Sequence, residues 1–175
     1  MQINKIYIVF GILVLITGCR NNQISEPAID FYEKCRKLVL SENVIGQEYI
    51  FEKIQKEELN KIHITYLGYI ITKDGDSLKI LNSVNYFNPI SPRAHGAFYL
   101  YQKDKLLGSY YVGGTADVPN RIENNNLVFD YYDEDCNQTT IINFSDSIPQ
   151  QIFVKCTENN ETILGDVYSF SPNEK

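Results

Sequence analysis

The sequence predicts an α+β protein that is mainly antiparallel β, with an N-terminal amphipathic helix packed on a curled meander sheet or small barrel of about eight strands. Three observations lead there. From Lys61 onward, short runs rich in Ile, Thr, Tyr and Phe follow one another with little between them. The gaps are compact polar turns such as Lys73-Asp74-Gly75-Asp76, the pattern of successive hairpins. Only one early segment has a clear helical period.

That segment is Ala28 to Leu40, where Ile29, Phe31, Tyr32, Cys35, Leu38 and Val39 recur at three-to-four spacing and Asp30, Glu33, Lys34 and Lys37 fill the other side. Pro27 before it and Gly46 after it are placed as helix punctuation should be. Gln47 to Ile62 carries the charged run Glu52 to Lys61 and reads as a strand followed by a short helix. His63–Thr72 and Ser77–Phe87 then form a hairpin, because Asp74-Gly75 supplies the positive φ that a strand-matched turn requires. Ala97–Gln102 and Leu106–Val112 make a second hairpin through Lys103-Asp104-Lys105. Leu127–Tyr132 and Thr139–Phe144 make a third through Asp133-Glu134-Asp135, and Gln151–Cys156 and Thr162–Phe170 follow. The longest connections, Asn88–Gly96 and Gly113–Asn126, are where loop-borne function is expected.

Ahead of the helix the composition changes. Lys5 precedes the apolar run Ile6 to Ile16, and Thr17-Gly18-Cys19 ends it. A run of that length falls short of the ~20 apolar residues of a permanent span and suits the apolar region of a secretory signal. Ile16-Thr17-Gly18-Cys19 resembles the lipobox of bacterial lipoproteins. The resemblance implies a diacylglycerol thioether on Cys19, cleavage after Gly18 and acylation of the new amine, so that the membrane is a partner through the lipid. It divides the chain into a signal peptide (1–18), a lipidated tether (19–27) and one mostly β domain (28–175). Arg20 is not the Asp associated with inner-membrane retention, so in a Gram-negative host the outer membrane is the expected destination.

Removing residues 1–18 leaves 15 basic against 22 acidic residues, a formal charge of −7. No Lys/Arg cluster exceeds a pair such as Arg36-Lys37, so nucleic acid is not an expected partner. Surface docking on anionic lipid is disfavoured on the same ground. Cationic proteins, glycans and metal ions remain compatible with an acidic surface.

Few residues here suit catalysis. Cys35, Cys136 and Cys156 permit three pairings; Cys136 with Cys156 is preferred because an oxidising envelope allows the bond, and a fully reduced, buried set is the alternative. Cys35, on the apolar side of the helix, reads as a small buried hydrophobe. His63 sits between Ile62 and Ile64 as a structural ring. His95 lies near Ser91 and Arg93 and, with an Asp such as Asp117, is the least implausible hydrolase site, yet no Gly-x-Ser-x-Gly elbow accompanies it. Gly113-Gly114 reads as a strand-ending turn. Asp74-Gly75-Asp76 and Asp130 with Asp133 to Asp135 read as solvated turn carboxylates, with calcium at the second as the alternative, and the histidines are too few and too far apart for a zinc site. No cofactor is implied. Asp76-Ser77-Leu78 and Asp146-Ser147-Ile148 are similar to a short O-glycosylation acceptor of some Gram-negative bacteria.

The Tyr pairs Tyr66/Tyr69, Tyr99/Tyr101, Tyr110/Tyr111 and Tyr131/Tyr132 are the remaining signal. If the second member of each faces away from the core, the sheet presents an aromatic surface for a protein or a glycan. The expected binding surface is therefore Arg93, His95, Tyr99, Tyr101, Tyr111 and Tyr132. The expected function is a non-enzymatic binding or inhibitor/immunity-type envelope lipoprotein, ahead of a structural envelope component and of a hydrolase using the 91–96 loop.

Overall fold

A computed structural model describes residues 30–55, 58–87, 93–133, 136–156 and 164–173. The expected signal peptide (1–18), Cys19 and the expected tether (19–27) lie outside the described residues. Among the described residues no helix is long and apolar enough to cross a membrane.

One helix, α1 (Phe31–Glu42), precedes ten strands: β1 (Glu48–Gln55), β2 (Glu58–Ile71), β3 (Ser77–Phe87), β4 (Arg93–Gln102), β5 (Lys105–Gly113), β6 (Arg121–Glu123), β7 (Asn126–Asp133), β8 (Cys136–Ile142), β9 (Gln151–Cys156) and β10 (Leu164–Pro172). The protein is mainly antiparallel β with one short helix. Its strands form a seven-stranded sheet, ordered β1-β2-β3-β4-β5-β10-β9, and a three-stranded sheet, ordered β6-β7-β8.

The predicted hairpins at Asp74-Gly75 and Lys103-Asp104 pair as β2–β3 and β4–β5, and the third pairs as β7–β8. Two expectations are corrected. Where a short helix was expected, Glu52–Gln55 and Glu58–Lys61 are strand, the arms of a β1–β2 hairpin, in which Glu52 pairs Lys61 in register and their side chains form an ion pair at 2.8 Å. Opposite charges facing each other across two strands satisfy a charged sequence as well as a helix surface does. The loop expected over Asn88–Gly96 ends early, because Arg93 and His95 already belong to β4, paired with Phe87 and Asn85.

The large sheet is covered on both faces. On one, Ile70, Ile80, Phe98, Leu100, Tyr110 and Val112 pack with Leu127 and Phe129 of β7, with Phe144 and with Ile152 and Val154 of β9. On the other, Cys35, Val39 and Leu40 of α1 pack on Ile62, Ile64, Tyr66, Leu81 and Tyr101. Alternation along each strand sends successive residues to these two cores. Asn43 ends α1 in the left-handed conformation, with its N–H donated to the Val39 carbonyl at 3.3 Å.

Side chains bridge the sheets where backbone ladders do not. Asn125, between β6 and β7, accepts the Ile71 N–H at 2.7 Å and donates to the Ile71 carbonyl at 2.8 Å. At the other side, Thr140 of β8 accepts the Lys155 N–H of β9 at 2.9 Å. Two seams, one at β2 and one at β9, thus hold the small sheet across the large one.

Candidate binding surface

The helix covers only part of its face of the large sheet. On the rest of that face an aromatic and apolar strip crosses five neighbouring strands, β3, β4, β5, β10 and β9. Phe87 meets His95 edge-on at 4.6 Å between ring centroids, and His95 meets Tyr111 at 5.5 Å. Tyr111 and Val167 then line one open cleft. Val167 pairs in register with Phe153. Tyr111, Val167 and Phe153 remain 56%, 58% and 39% exposed, although side chains of this kind are normally withdrawn from water.

Each position follows from its strand. On β5, Tyr110 is sealed in the core and donates its hydroxyl to the Pro149 carbonyl, so its successor Tyr111 must point outward. On β9, Ile152 and Val154 are buried and Phe153 between them is left outside. The Phe153 ring lies over Gly165, where an added Cβ would come within 2.8 Å of it. Glycine there makes room for the ring.

Between β5 and β10 the sheet opens. Their ladder runs from Gly108↔Pro172 to Tyr110↔Phe170 and goes no further. Beyond it lies a cleft of about 390 Å³ lined by Tyr111, Gly113, Asp117, Asp166, Val167 and Tyr168. Asp117 is fixed in place: its carboxylate accepts the Gly114 N–H at 2.7 Å and the Tyr131 hydroxyl. Burial, the hydrogen bond to Asp117 and that carboxylate's charge raise the Tyr131 phenol well above its ordinary range. Burial, with Asp117 and Asp166 nearby, pushes Tyr168 up to about 12. Both are neutral hydrogen-bonding groups at physiological pH.

The structure brings together His95 and Tyr111 of the expected surface, with Arg93 exposed near them on β4. It corrects Tyr101, which is fully buried at 0% exposure. Tyr99 and Tyr101 are two residues apart on one strand and share a face, and that face lies under α1. Arg36 donates Nε–H to the Tyr101 hydroxyl at 3.2 Å and stacks its guanidinium 4.0 Å from the Tyr99 ring centroid. Tyr99 is accordingly half-covered. Tyr132 is exposed, but on β7 of the other sheet. Phe87, Phe153 and Val167 were missed. The signal for Phe153 was present in the alternation of Gln151–Cys156, but its neighbours were not, because β10 comes between β5 and β9.

Asn85, in register opposite His95, has a buried Oδ1 without a hydrogen-bond partner. His63 is held by Glu48 at 3.1 Å and by the Tyr86 ring. Asp130 is engaged by Arg121 and by Thr139 at 2.8 Å. Glu134 and Asp135 lie outside the described residues, as does Ser91. Among the described residues no three His, Cys, Asp or Glu side chains are grouped to hold a metal. Cys35 is a free thiol buried in the helix-side core, its pKa raised by that burial. Cys156 is disulfide-bonded, and the Cys136 side chain lies outside the described residues. No protein-family model matches the chain, and neither a curated protein nor a solved structure matches it.

Proposed function

We propose that this chain is a lipid-anchored envelope protein whose β domain binds a partner and performs no chemistry of its own, in the manner of an inhibitor or immunity-type protein. The observation that carries the reading is the exposed strip Phe87–His95–Tyr111–Val167–Phe153. Aromatic residues at the centre of a surface supply contact area at low entropic cost and are enriched at binding sites. The His95 ring stands edge-on to the Phe87 and Tyr111 rings, and the Asp117 carboxylate accepts hydrogen bonds from the Gly114 N–H and the Tyr131 hydroxyl, an arrangement that favours the binding reading over a hydrolase.

Export by residues 1–18 and acylation of Cys19 complete the proposal. Two or three acyl chains, at about 0.8 kcal/mol per buried CH₂, hold a protein to a bilayer durably. In a Gram-negative host we place it at the outer membrane. We assign Cys136 as the partner of Cys156, and we take the two sheets, bridged at both seams, to behave as one curled, barrel-like wall.

Two measurements test this reading. Cys19→Ala should shift the protein from the membrane fraction and abolish palmitate labelling; continued membrane retention with no lipid on the wild-type chain would refute the anchor. Crosslinking in whole cells should give a discrete adduct that Tyr111→Ala with Phe153→Ala removes. An adduct indifferent to both substitutions would remove the strip from the proposal.

A further inference from the structure

We propose that the aromatic strip docks an acidic surface of a protein partner, whose carboxylates meet Arg93 and Lys155 while its apolar centre covers Tyr111, Val167 and Phe153. The inference rests on the binding reading above and gives the partner a charge. That charge is set by the strip's own side of the sheet and not by the chain's total, which is −6.

Alternation fixes which side chains share the strip's face. On β4, Arg93 stands two residues from His95, opposite Phe87 of β3. On β9, Ile152 and Val154 pack into the core beneath, so Phe153 and Lys155 are turned outward. On β10, Tyr168 and Phe170 pack into that same core, so Val167 is turned outward and Asp166 is not. Of the 22 acidic residues of the chain, Asp166 is the only one within β3, β4, β5, β9 and β10. The strip's face of these five strands thus bears exposed Arg93 and Lys155 and no carboxylate.

Neither cation is committed elsewhere. The ion pairs among the described residues engage Lys37, Lys61, His63, Lys73 and Arg121, and Lys155 meets Thr140 only through its backbone N–H. Arg93 and Lys155 stand at the same end of their strands, since Phe87 pairs with Arg93 and Gly165 with Lys155. Three strand spacings separate them, about 15 Å. An interface of ordinary size, roughly 800 Å² per partner, covers both together with the rings between them. At physiological ionic strength charges farther away than about 8 Å are largely screened, so a docked partner senses these two cations and not the carboxylates of the turns and the other sheet. A basic partner would set like charges against both, whereas carboxylates pair with them, and rim charges of this kind decide which partner is accepted. Two cations so far apart are too few to track a phosphate backbone.

The test is zero-length crosslinking with a carbodiimide, which joins an amine to a carboxylate only where the two touch, applied to envelopes from cells producing the full chain. The expected result is an isopeptide between Lys155 and an Asp or Glu of the partner, identified by mass after digestion. Arg93→Lys should add a second link, at that position. Arg93→Glu with Lys155→Glu should lower the yield of the whole-cell adduct about tenfold. Lys103→Glu with Lys105→Glu, the same change of net charge at the far hairpin, should leave it unchanged. All four side chains are exposed, so neither pair of substitutions disturbs the core. An unlinked Lys155 in the adduct, equal losses from the two charge reversals, or a lipid carboxylate on Lys155 in place of a peptide overturns the proposal. If Tyr111→Ala with Phe153→Ala removes the adduct while reversal at Arg93 and Lys155 does not, the strip binds a partner and its acidic chemistry is wrong. If the adduct is indifferent to the Tyr111 and Phe153 substitutions, the binding reading itself fails.

Discussion

Arg36 of the helix donates its Nε–H to the hydroxyl of Tyr101, a residue of the fourth strand with no exposed surface. The guanidinium is itself buried, and it also covers the Tyr99 ring at 4.0 Å. The pair joins the only helix among the described residues to the centre of the sheet. Tyr101→Phe should destabilise the fold by about 1.5–3 kcal/mol, the usual range for a hydrogen bond to a charged group. Arg36→Ala should cost more, about 2–4 kcal/mol, because it also removes the packing of the arginine stem and the ring contact. Urea unfolding of the two variants decides the matter. A loss below about 0.5 kcal/mol for Tyr101→Phe would show that the bond contributes no stability.

The seam at β2 depends on Asn125, which adopts a left-handed φ of 62° and bonds both backbone groups of Ile71. Asn125→Gly keeps the backbone conformation accessible and removes the two bonds, so it should cost about 1–3 kcal/mol. Asn125→Ala should cost about 1 kcal/mol more, since a Cβ penalises this φ. Identical losses for both variants would mean that the conformational term is absent.

Reduction tests the cysteine assignment. With Cys136 as the partner of Cys156, the bond closes a loop of about twenty residues and contributes on the order of 3 kcal/mol. Cys136→Ser and Cys156→Ser should then lower stability equally and make it insensitive to reductant, while Cys35→Ser leaves the reductant response intact. A disulfide that survives Cys136→Ser, read by mass after alkylation, would assign the bond elsewhere.

Alkaline pH should weaken the fold through its phenols. The Tyr168 and Tyr131 pKa values are raised above the ordinary value near 10, first by burial and then by the carboxylates beside them. A raised folded-state pKa means that the unfolded chain releases its proton first as pH climbs, so the stabilisation is complete below about pH 10 and falls as pH rises from there toward about 12. Urea midpoints at pH 9 and pH 11 should differ accordingly, and Tyr168→Phe should reduce the difference. A midpoint unchanged between these pH values would contradict the burial of the phenols.

What could be read from the residues divides by range. The Asp74-Gly75 turn was legible because a two-strand hairpin is a local event, and Gly75 adopts the positive φ of 83° that the pattern demanded. Cys35 and Val39 were legible as a buried stripe of a helix. The β1–β2 hairpin was not, since Glu52 and Lys61 satisfy each other only after pairing. The Asn125 bridge was equally invisible, because its partner, Ile71, lies far back in the chain, and β6, three residues paired with β7, is too short to show a period. Of the candidate surface, Tyr111 was readable from alternation beside Tyr110. Tyr101 was misread by treating a spacing of two as though it reversed the face. Phe153 and Val167 join the strip only because of the order β5-β10-β9, a non-sequential neighbourhood that no local period announces.

That strand order also governs when the molecule can take shape. β9 finds its ladder partner, and β5 its second neighbour, only when residues 164–172 arrive between them. Everything from β1 to β5 can assemble by successive hairpins as it is synthesised, but one flank must wait for the tenth strand to leave the ribosome. Contacts of such long sequence separation form late and slowly. Until then one edge of β5 stays without the strand that covers it in the finished sheet.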